Sequence, residues 1–159
     1  MKKNFKTLCV FLGRLFISVA FLTSALKKVF TWQQAQSDFS TVLSDWLAHL
    51  NSFPFFQQLV ADLLPISTGL LAVMTLMEFF GGIFLLFNIK ARFGVFLLLI
   101  FFIPATILFH QFWFFQGDKR ELELLLFMKN IAIIGGLFYA LACGGKSAGG
   151  EGGGGGAKK

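Results

Sequence analysis

Charge is scarce in this chain: of its 159 residues only 14% are Asp, Glu, Lys or Arg, against 56% that are apolar. Cysteine and histidine occur twice each, proline three times and tyrosine once. Cys9 and Cys143 are far apart and form no CxxC pair, which excludes a disulfide framework and disfavours a dithiol redox centre. Of the two histidines, His49 falls on the polar side of a loop segment, so bis-histidine haem ligation lacks its second ligand. There is no HExxH, no Gly-rich phosphate loop, no nucleophile motif and no metal-ligand spacing. Phenylalanine, in contrast, occurs 23 times, and mean hydropathy is +0.74. A small single domain cannot hide that much apolar surface from water. A soluble enzyme and a disordered protein are therefore excluded, and the composition is that of an integral membrane protein.

A helix needs about 20 apolar residues to cross a bilayer. Segments 8–30, 65–89, 93–115 and 122–143 qualify, so the expected class is an all-α, integral membrane four-helix bundle forming one domain over residues 1–143. Segment 8–30 follows Met1-Lys2-Lys3 and contains Thr23-Ser24-Ala25, as a signal peptide would, yet Arg14 interrupts the run and the run is too long for one. It is expected to stay as a helix. The +6 net charge resides at the ends of apolar runs and not on one polar face, which points to topology and away from nucleic acid. Lys2, Lys3, Lys6, Lys90, Arg92, Lys146, Lys158 and Lys159 gather on one side, which places both termini in the cytoplasm. In the outer loop 31–64, Phe39, Val42, Leu43, Trp46, Leu47 and Leu50 recur at helical spacing. After Ser52 and Pro54, so do Phe56, Leu59, Val60, Leu63 and Leu64. This predicts a hairpin of two short amphipathic helices in the outer interface, as a cap over the spans or as a mere anchor. Residues 144–159 read as a flexible Gly-rich tail.

Several polar residues interrupt the spans, where each charge costs about 2.5–3.5 kcal/mol. They are Arg14, Lys28, Glu78, His110, Lys129 and Asn130. Counted at 1.5 Å per residue from the cytoplasmic edge, Arg14 lies at about 9 Å, Glu78 at about 16 Å and Lys129–Asn130 at about 20 Å. His110 follows at about 25 Å and Lys28 at about 30 Å. Arg14, Ser18, Phe21, Ala25 and Lys28 share one stripe, Thr75, Gly81 and Gly82 flank Glu78, and Thr106, His110 and Trp113 line up on span 3. Lys129 leads Ala132-x3-Gly136-x3-Ala140, a small-residue packing face. Each residue also has a bland role. Arg14 can snorkel to the cytoplasmic interface and Lys28 can anchor the outer one. Lys129 can reach the outer headgroups, His110 can be a satisfied interior histidine, and Asn130 can bond across helices. Glu78 is too deep to snorkel and is expected to be protonated or paired with Arg14 or Lys129. Together they suggest a polar site in the outer half of the bundle.

These residues fall in a pattern that resembles the DoxX family of small four-span bacterial membrane proteins, kin to the wider group of the surfeit-locus cargo receptors. The matching stretches are Gly13-Arg14, Phe21 to Lys28 (FLTSALKK), Glu78-x2-Gly81-Gly82-x2-Leu85, and Arg92. They continue through Thr106-x3-His110-x-Phe112-Trp113 and Met128-x-Asn130-x-Ala132-x2-Gly135-Gly136-Leu137. Ala25 and Asn88 depart from the pattern, each standing where the family usually has glycine. The resemblance implies a four-helix bundle, a bacterial inner-membrane location and a link to redox complexes. Members include the small subunit of a thiosulfate:quinone oxidoreductase and parts of membrane assemblies that handle oxidative stress. It also implies that Arg14, Lys28, Glu78, His110 and Asn130 are this chain's copies of the family's polar positions.

The functional expectation is a quinone-interacting membrane subunit of an oxidoreductase, with no catalytic residue assigned and the redox centre on a partner subunit. His110 with Lys129 or Asn130 would hydrogen-bond the quinone carbonyls, and Glu78 would relay a proton. Expected partners are membrane lipid, the oxidoreductase subunit and quinone, with no nucleic acid, no metal and no covalently held cofactor. A scaffold or assembly factor, and a carrier for a small solute or lipid, are the alternatives.

Overall fold

A backbone inside hydrocarbon has no water to bond, so each apolar run must satisfy its own N–H and C=O groups, and a helix does so within one segment. The computed structural model describes residues 2–143, which contain helices and no strand. In order they are α1 (Lys2–Phe30), α2 (Trp32–His49), α3 (Pro54–Leu63), α4 (Ser67–Leu86), α5 (Ala91–Phe109), a 3-10 turn (Phe112–Phe114) and α6 (Gly117–Cys143). Four stretches are long and apolar enough to span a membrane: Thr7–Phe30, Ser67–Leu86, Ala91–Phe114 and Gly117–Ala142. The helical membrane bundle with an amphipathic hairpin after its first span is thus the observed architecture. The Gly-rich segment 144–159 lies outside the described residues.

The spans form an antiparallel row in which α4 packs against α1 and α5, and α6 packs against α5. Burial follows this order. About 39% of the apolar window is buried in α4 and in α5, against 17% in α1 and 11% in α6. α4 and α5 are therefore the inner pair, and α6 has the widest face toward lipid. Glycine makes the inner contact possible. A Cβ on Gly94 would lie 2.7 Å from Phe84 Cβ and 3.0 Å from the Gly81 carbonyl oxygen, so the two backbones touch there. The α4–α5 turn needs left-handed backbone at Asn88 (φ 56°) and Lys90 (φ 47°). Asparagine tolerates that region better than other non-glycine residues, which accounts for Asn88 in a place where the family pattern has glycine. Ala25 is fully buried, so its methyl is accommodated at the helix contact.

The hairpin sits over one end of the row, here the lid end. Only Thr31 separates α1 from α2, its amide and hydroxyl both bonded to the Lys27 carbonyl. Phe39 and Leu43 of α2 are fully buried against the bundle, Phe39 stacking on Phe109 at 5.8 Å. Gln36 Nε2 donates to Thr68 Oγ1 at the start of α4. Pro54 opens α3 at its first turn, where the missing N–H costs nothing. Of the apolar face expected for α3, Val60 is buried while Phe56 and Leu59 are exposed, a division that suits a helix lying in a membrane interface.

The helix ends differ from the apolar runs in informative ways. α5 stops at Phe109 although apolar residues continue to Phe115. α6 starts five residues before the expected span, at Gly117, with Asp118 in its first turn, where a carboxylate favours the helix dipole. Gly94→Ala should lower stability by about 1–3 kcal/mol because the new methyl meets backbone on α4. Gly135→Ala, with nothing within 4 Å of its Cβ position, should raise it by up to about 1 kcal/mol through helix propensity. Unfolding midpoints of the two variants in a denaturing detergent series check this, and a stable Gly94→Ala protein would contradict the contact.

Candidate functional site

Glu78 is the deepest charged side chain described, 2% exposed on α4, and Lys28 Nζ near the end of α1 donates to its Oε2 at 2.5 Å. The ammonium also lies 5.1 Å from the ring centroid of Phe101 on α5, a cation–π distance. Thr75, Gly81 and Gly82 around Glu78 are buried, as are Ser18, Phe21 and Ala25 on the stripe leading to Lys28. The partner of Glu78 is therefore Lys28, and neither Arg14 nor Lys129 as the sequence suggested. Two effects close the height difference of about 14 Å expected from counting. The position for a Cβ on Gly82 lies 3.0 Å from Leu22 and 3.6 Å from the Ser18 carbonyl, which sets α1 roughly five residues lower against α4 than the apolar runs implied. Side chains also lean toward the N-terminus of their helix. In antiparallel α1 and α4 this makes Lys28 and Glu78 reach toward each other.

A second polar centre is assembled where α5 ends. The Leu108 carbonyl, one of the orphaned acceptors of a helix C-terminus, receives the Trp46 indole N–H at 3.0 Å and the Gln111 side-chain amide at 3.0 Å. Gln111 also reaches the Val42 carbonyl at 3.4 Å, so its amide clips α2 to the end of α5. The chain leaves the helix at His110, whose Nδ1 lies 2.9 Å from Glu123 Oε2 on α6. These side chains are 18% and 20% exposed. Around them stand aromatic rings: Trp46 with Trp113 at 5.8 Å and Phe114 at 5.2 Å, and Phe127 with Phe112 at 5.2 Å and Trp113 at 6.2 Å. Gln111 Oε1 is buried with no hydrogen-bond partner. Because α5 ends before His110, Thr106 and Trp113 do not continue one helical stripe through it. Thr106 is satisfied by the Phe102 carbonyl.

The remaining expected site residues are dispersed. Arg14 is half-buried in α1, Lys129 is exposed, and Asn130 is buried. On α6, Asn130, Ile134 and Leu137 are buried; of the small-residue series, Lys129 and Ala132 are exposed, while the Cβ position of Gly136 lies 3.8 Å from Ile17 of α1 and Ala140 packs against the core. Glu123, Gln111 and Trp46 were not singled out in the sequence. Glu123 has a visible signal, since it lies one residue inside the apolar run of span 4, but the acidic and basic residues before it made it look solvated. No cluster of His, Cys, Asp and Glu that could hold a metal occurs among the described residues.

The family model for DoxX matches residues 9–111, well over half of the chain. The chain belongs to the DoxX family. No curated protein and no solved structure matches it. The matched part of this DoxX protein contains Arg14, Lys28, Glu78 and His110, and ends before Glu123, Lys129 and Asn130 on α6.

The two centres differ in what they leave free. At Lys28–Glu78 the charges are spent on each other and on Phe101. At His110 only Nδ1 faces Glu123, so with Nδ1–H donating to the carboxylate the imidazole keeps Nε2 for an outside partner. Removing one member of the closed pair should be costly. Lys28→Met strands a buried carboxylate and should cost about 3–5 kcal/mol, while Lys28→Met with Glu78→Leu should recover most of that loss. Unfolding midpoints of the single and double variants measure the difference, and equal stability of Lys28→Met and wild type would dismiss the pair as a structural element.

Proposed function

We propose that this DoxX protein is a quinone-interacting membrane subunit of an oxidoreductase complex in a bacterial inner membrane. The cations Lys90 and Arg92 at the end opposite the lid support an orientation with both termini in the cytoplasm and the lid outside. The observation that carries the reading is the partly exposed His110–Glu123 pair beside the aromatic cluster of Trp46, Phe112, Trp113 and Phe127. A quinone head is a flat ring with two carbonyls, so it needs aromatic faces to stack on and a donor aimed at oxygen. The aromatic cluster supplies the first and His110 Nε2 the second.

Quinone reduction to quinol takes up two electrons and two protons; the electrons are assigned to the redox centre of a partner subunit. The residues here manage the protons. His110 passes a proton from Nε2 to a carbonyl oxygen, while Glu123 at Nδ1 fixes the ring's orientation. After the proton is passed on, partial exposure of both side chains lets the pair refill from the lid side. In the reverse direction Nε2 accepts the quinol proton. Glu78, held by Lys28, fixes the helices behind the site and is no longer the preferred relay. A non-catalytic scaffold is the second reading, favoured by the Lys28–Glu78 pair, which is complete without any ligand.

The test is the quinone content of protein purified gently from native membranes, measured by mass spectrometry. Wild type should carry near-stoichiometric quinone. His110→Ala should lose it by about 10- to 100-fold, the worth of a charge-assisted hydrogen bond, with Glu123→Gln intermediate. Folded wild type without quinone, or a His110→Ala protein that retains it, would turn the assignment to the scaffold.

A further inference from the structure

The end of the bundle opposite the lid gathers hydrogen-bond donors without acceptors for them. Arg14 of α1 is half-buried and has no hydrogen bond or ion pair among the described residues. One turn above it on the same stripe, Ser18 Oγ is buried without a partner. Two contacts fix where Arg14 stands. The Gly82 Cβ position lies 3.6 Å from the Ser18 carbonyl, so Arg14, about 6 Å further down, is level with Leu86, where antiparallel α4 ends. The Phe21 ring meets the Phe102 ring edge-on at 5.0 Å, and Arg14 and Val95 lie seven residues before them on parallel α1 and α5. Arg14 therefore points within about 20° of Phe21, toward α5, and leans from the level of Val95 toward the first turn of that helix. No side chain caps this turn. Lys90 precedes it in left-handed backbone, and the amides of Ala91 and Arg92 have no acceptor among the described residues. The side chains of Lys90 and Arg92 are exposed. Glu78 is spent on Lys28, and the other described carboxylates, Asp38, Asp45, Asp62, Asp118, Glu121 and Glu123, belong to the lid hairpin or to the lid end of α6.

We propose that this end binds the phosphate of an anionic phospholipid, held by the Arg14 guanidinium, the open amides of α5 and the side chains of Lys90 and Arg92. An unpaired charge within a span is costly, and a phosphate removes that cost here. A guanidinium grips it through two parallel N–H bonds, while an uncapped helix start adds amides and the positive end of its dipole. The occupant is a lipid and not free phosphate because Leu12 and Phe16 around Arg14, and Phe93 next to Arg92, are exposed apolar side chains that suit acyl chains attached to the anion. With no described carboxylate at this end, nothing receives the ammonium of a zwitterionic headgroup, so the preference is for a net-negative lipid. The bound headgroup ties α1 to the start of α5 at the end away from Lys28–Glu78. This site is separate from the quinone reading and does not depend on it.

The experiment uses the full chain in mild detergent, titrated with phosphatidylglycerol and with phosphatidylethanolamine of the same acyl chains, bound lipid being counted by native mass spectrometry. Wild type should hold phosphatidylglycerol about tenfold more tightly than phosphatidylethanolamine. Arg14→Gln should weaken phosphatidylglycerol about tenfold, and Arg14→Lys only about threefold, since the charge stays while the paired N–H bonds go. Arg92→Gln, at an exposed position, should weaken it about fivefold and carries the test if Arg14→Gln does not fold. Lys27→Gln, an exposed cation at the lid end, should change nothing. Equal retention of the two lipids, an Arg14→Gln protein that binds as wild type does, or an equal loss in Lys27→Gln would overturn the site. Displacement of phosphatidylglycerol by millimolar inorganic phosphate would make a free anion the occupant and overturn the lipid.

Discussion

The bundle is organised by the requirement that charge taken into hydrocarbon be neutralised inside the protein. Glu78 is buried in its place on α4, and Lys28, two residues from the end of α1, is the cation within reach. Their contact fixes the rotation and the axial offset of α1 against α4. Phe101 over the same ammonium extends the constraint to α5. Loss of Lys28 strands the buried carboxylate of Glu78, so the contact holds α1 and α4 in one register with α5 beside them. The close approach at Gly82 and Leu22 is part of the same arrangement, since a bulkier residue at Gly82 would push the carboxylate away from Lys28. The lid follows directly: with Lys28 pinned and only Thr31 between the helices, α2 must cross the bundle end where Phe39 and Leu43 find their burial.

From the lid the constraint passes to the second centre. Trp46 and Gln111 both bond the Leu108 carbonyl, which gives α5 an end several residues before its apolar run is exhausted. That early end turns His110 out of the helix and toward Glu123. A longer α5 would have carried His110 round on the helical screw, with Trp113 one turn above it. One bond from α2 and one from Gln111 thereby turn an interior-looking histidine into half of a partly exposed pair. Pro104 belongs to the same helix. It removes one N–H from the backbone ladder, and its ring is exposed on the outside of the bundle.

Periodicity and apolar run length were enough to read the four spans and the amphipathic hairpin, because hydrocarbon imposes a single backbone solution on each run. Depth was harder to read. The partner of Glu78 was misjudged because heights were counted from the ends of apolar runs, whereas α1 extends back to Lys2 and side chains lean along their helices. The small-residue face of α6 was legible in part: the Cβ position of Gly136 approaches Ile17 of α1 and Ala140 packs against the core, while Lys129 and Ala132 are exposed and Asn130, Ile134 and Leu137 are buried. His110 was legible as a polar intruder, while Glu123 was hidden by the charged residues before it. That pairing is a property of the fold: it depends on where α5 stops, which depends in turn on a tryptophan 62 positions earlier.

The two centres join different helices. Lys28–Glu78 joins α1 to α4, with the carboxylate 2% and the ammonium side chain 26% exposed. His110–Glu123 joins the end of α5 to α6, and α6 has only 11% of its apolar window buried. Separation of the two removes a conflict. A site that must release its ligand cannot be the contact that holds the helices together, and a charge pair strong enough to fix two helices makes a poor proton exchanger. The chain assigns the Lys28–Glu78 pair to architecture and leaves the His110–Glu123 pair where α5 ends, with Nε2 of His110 not engaged by Glu123.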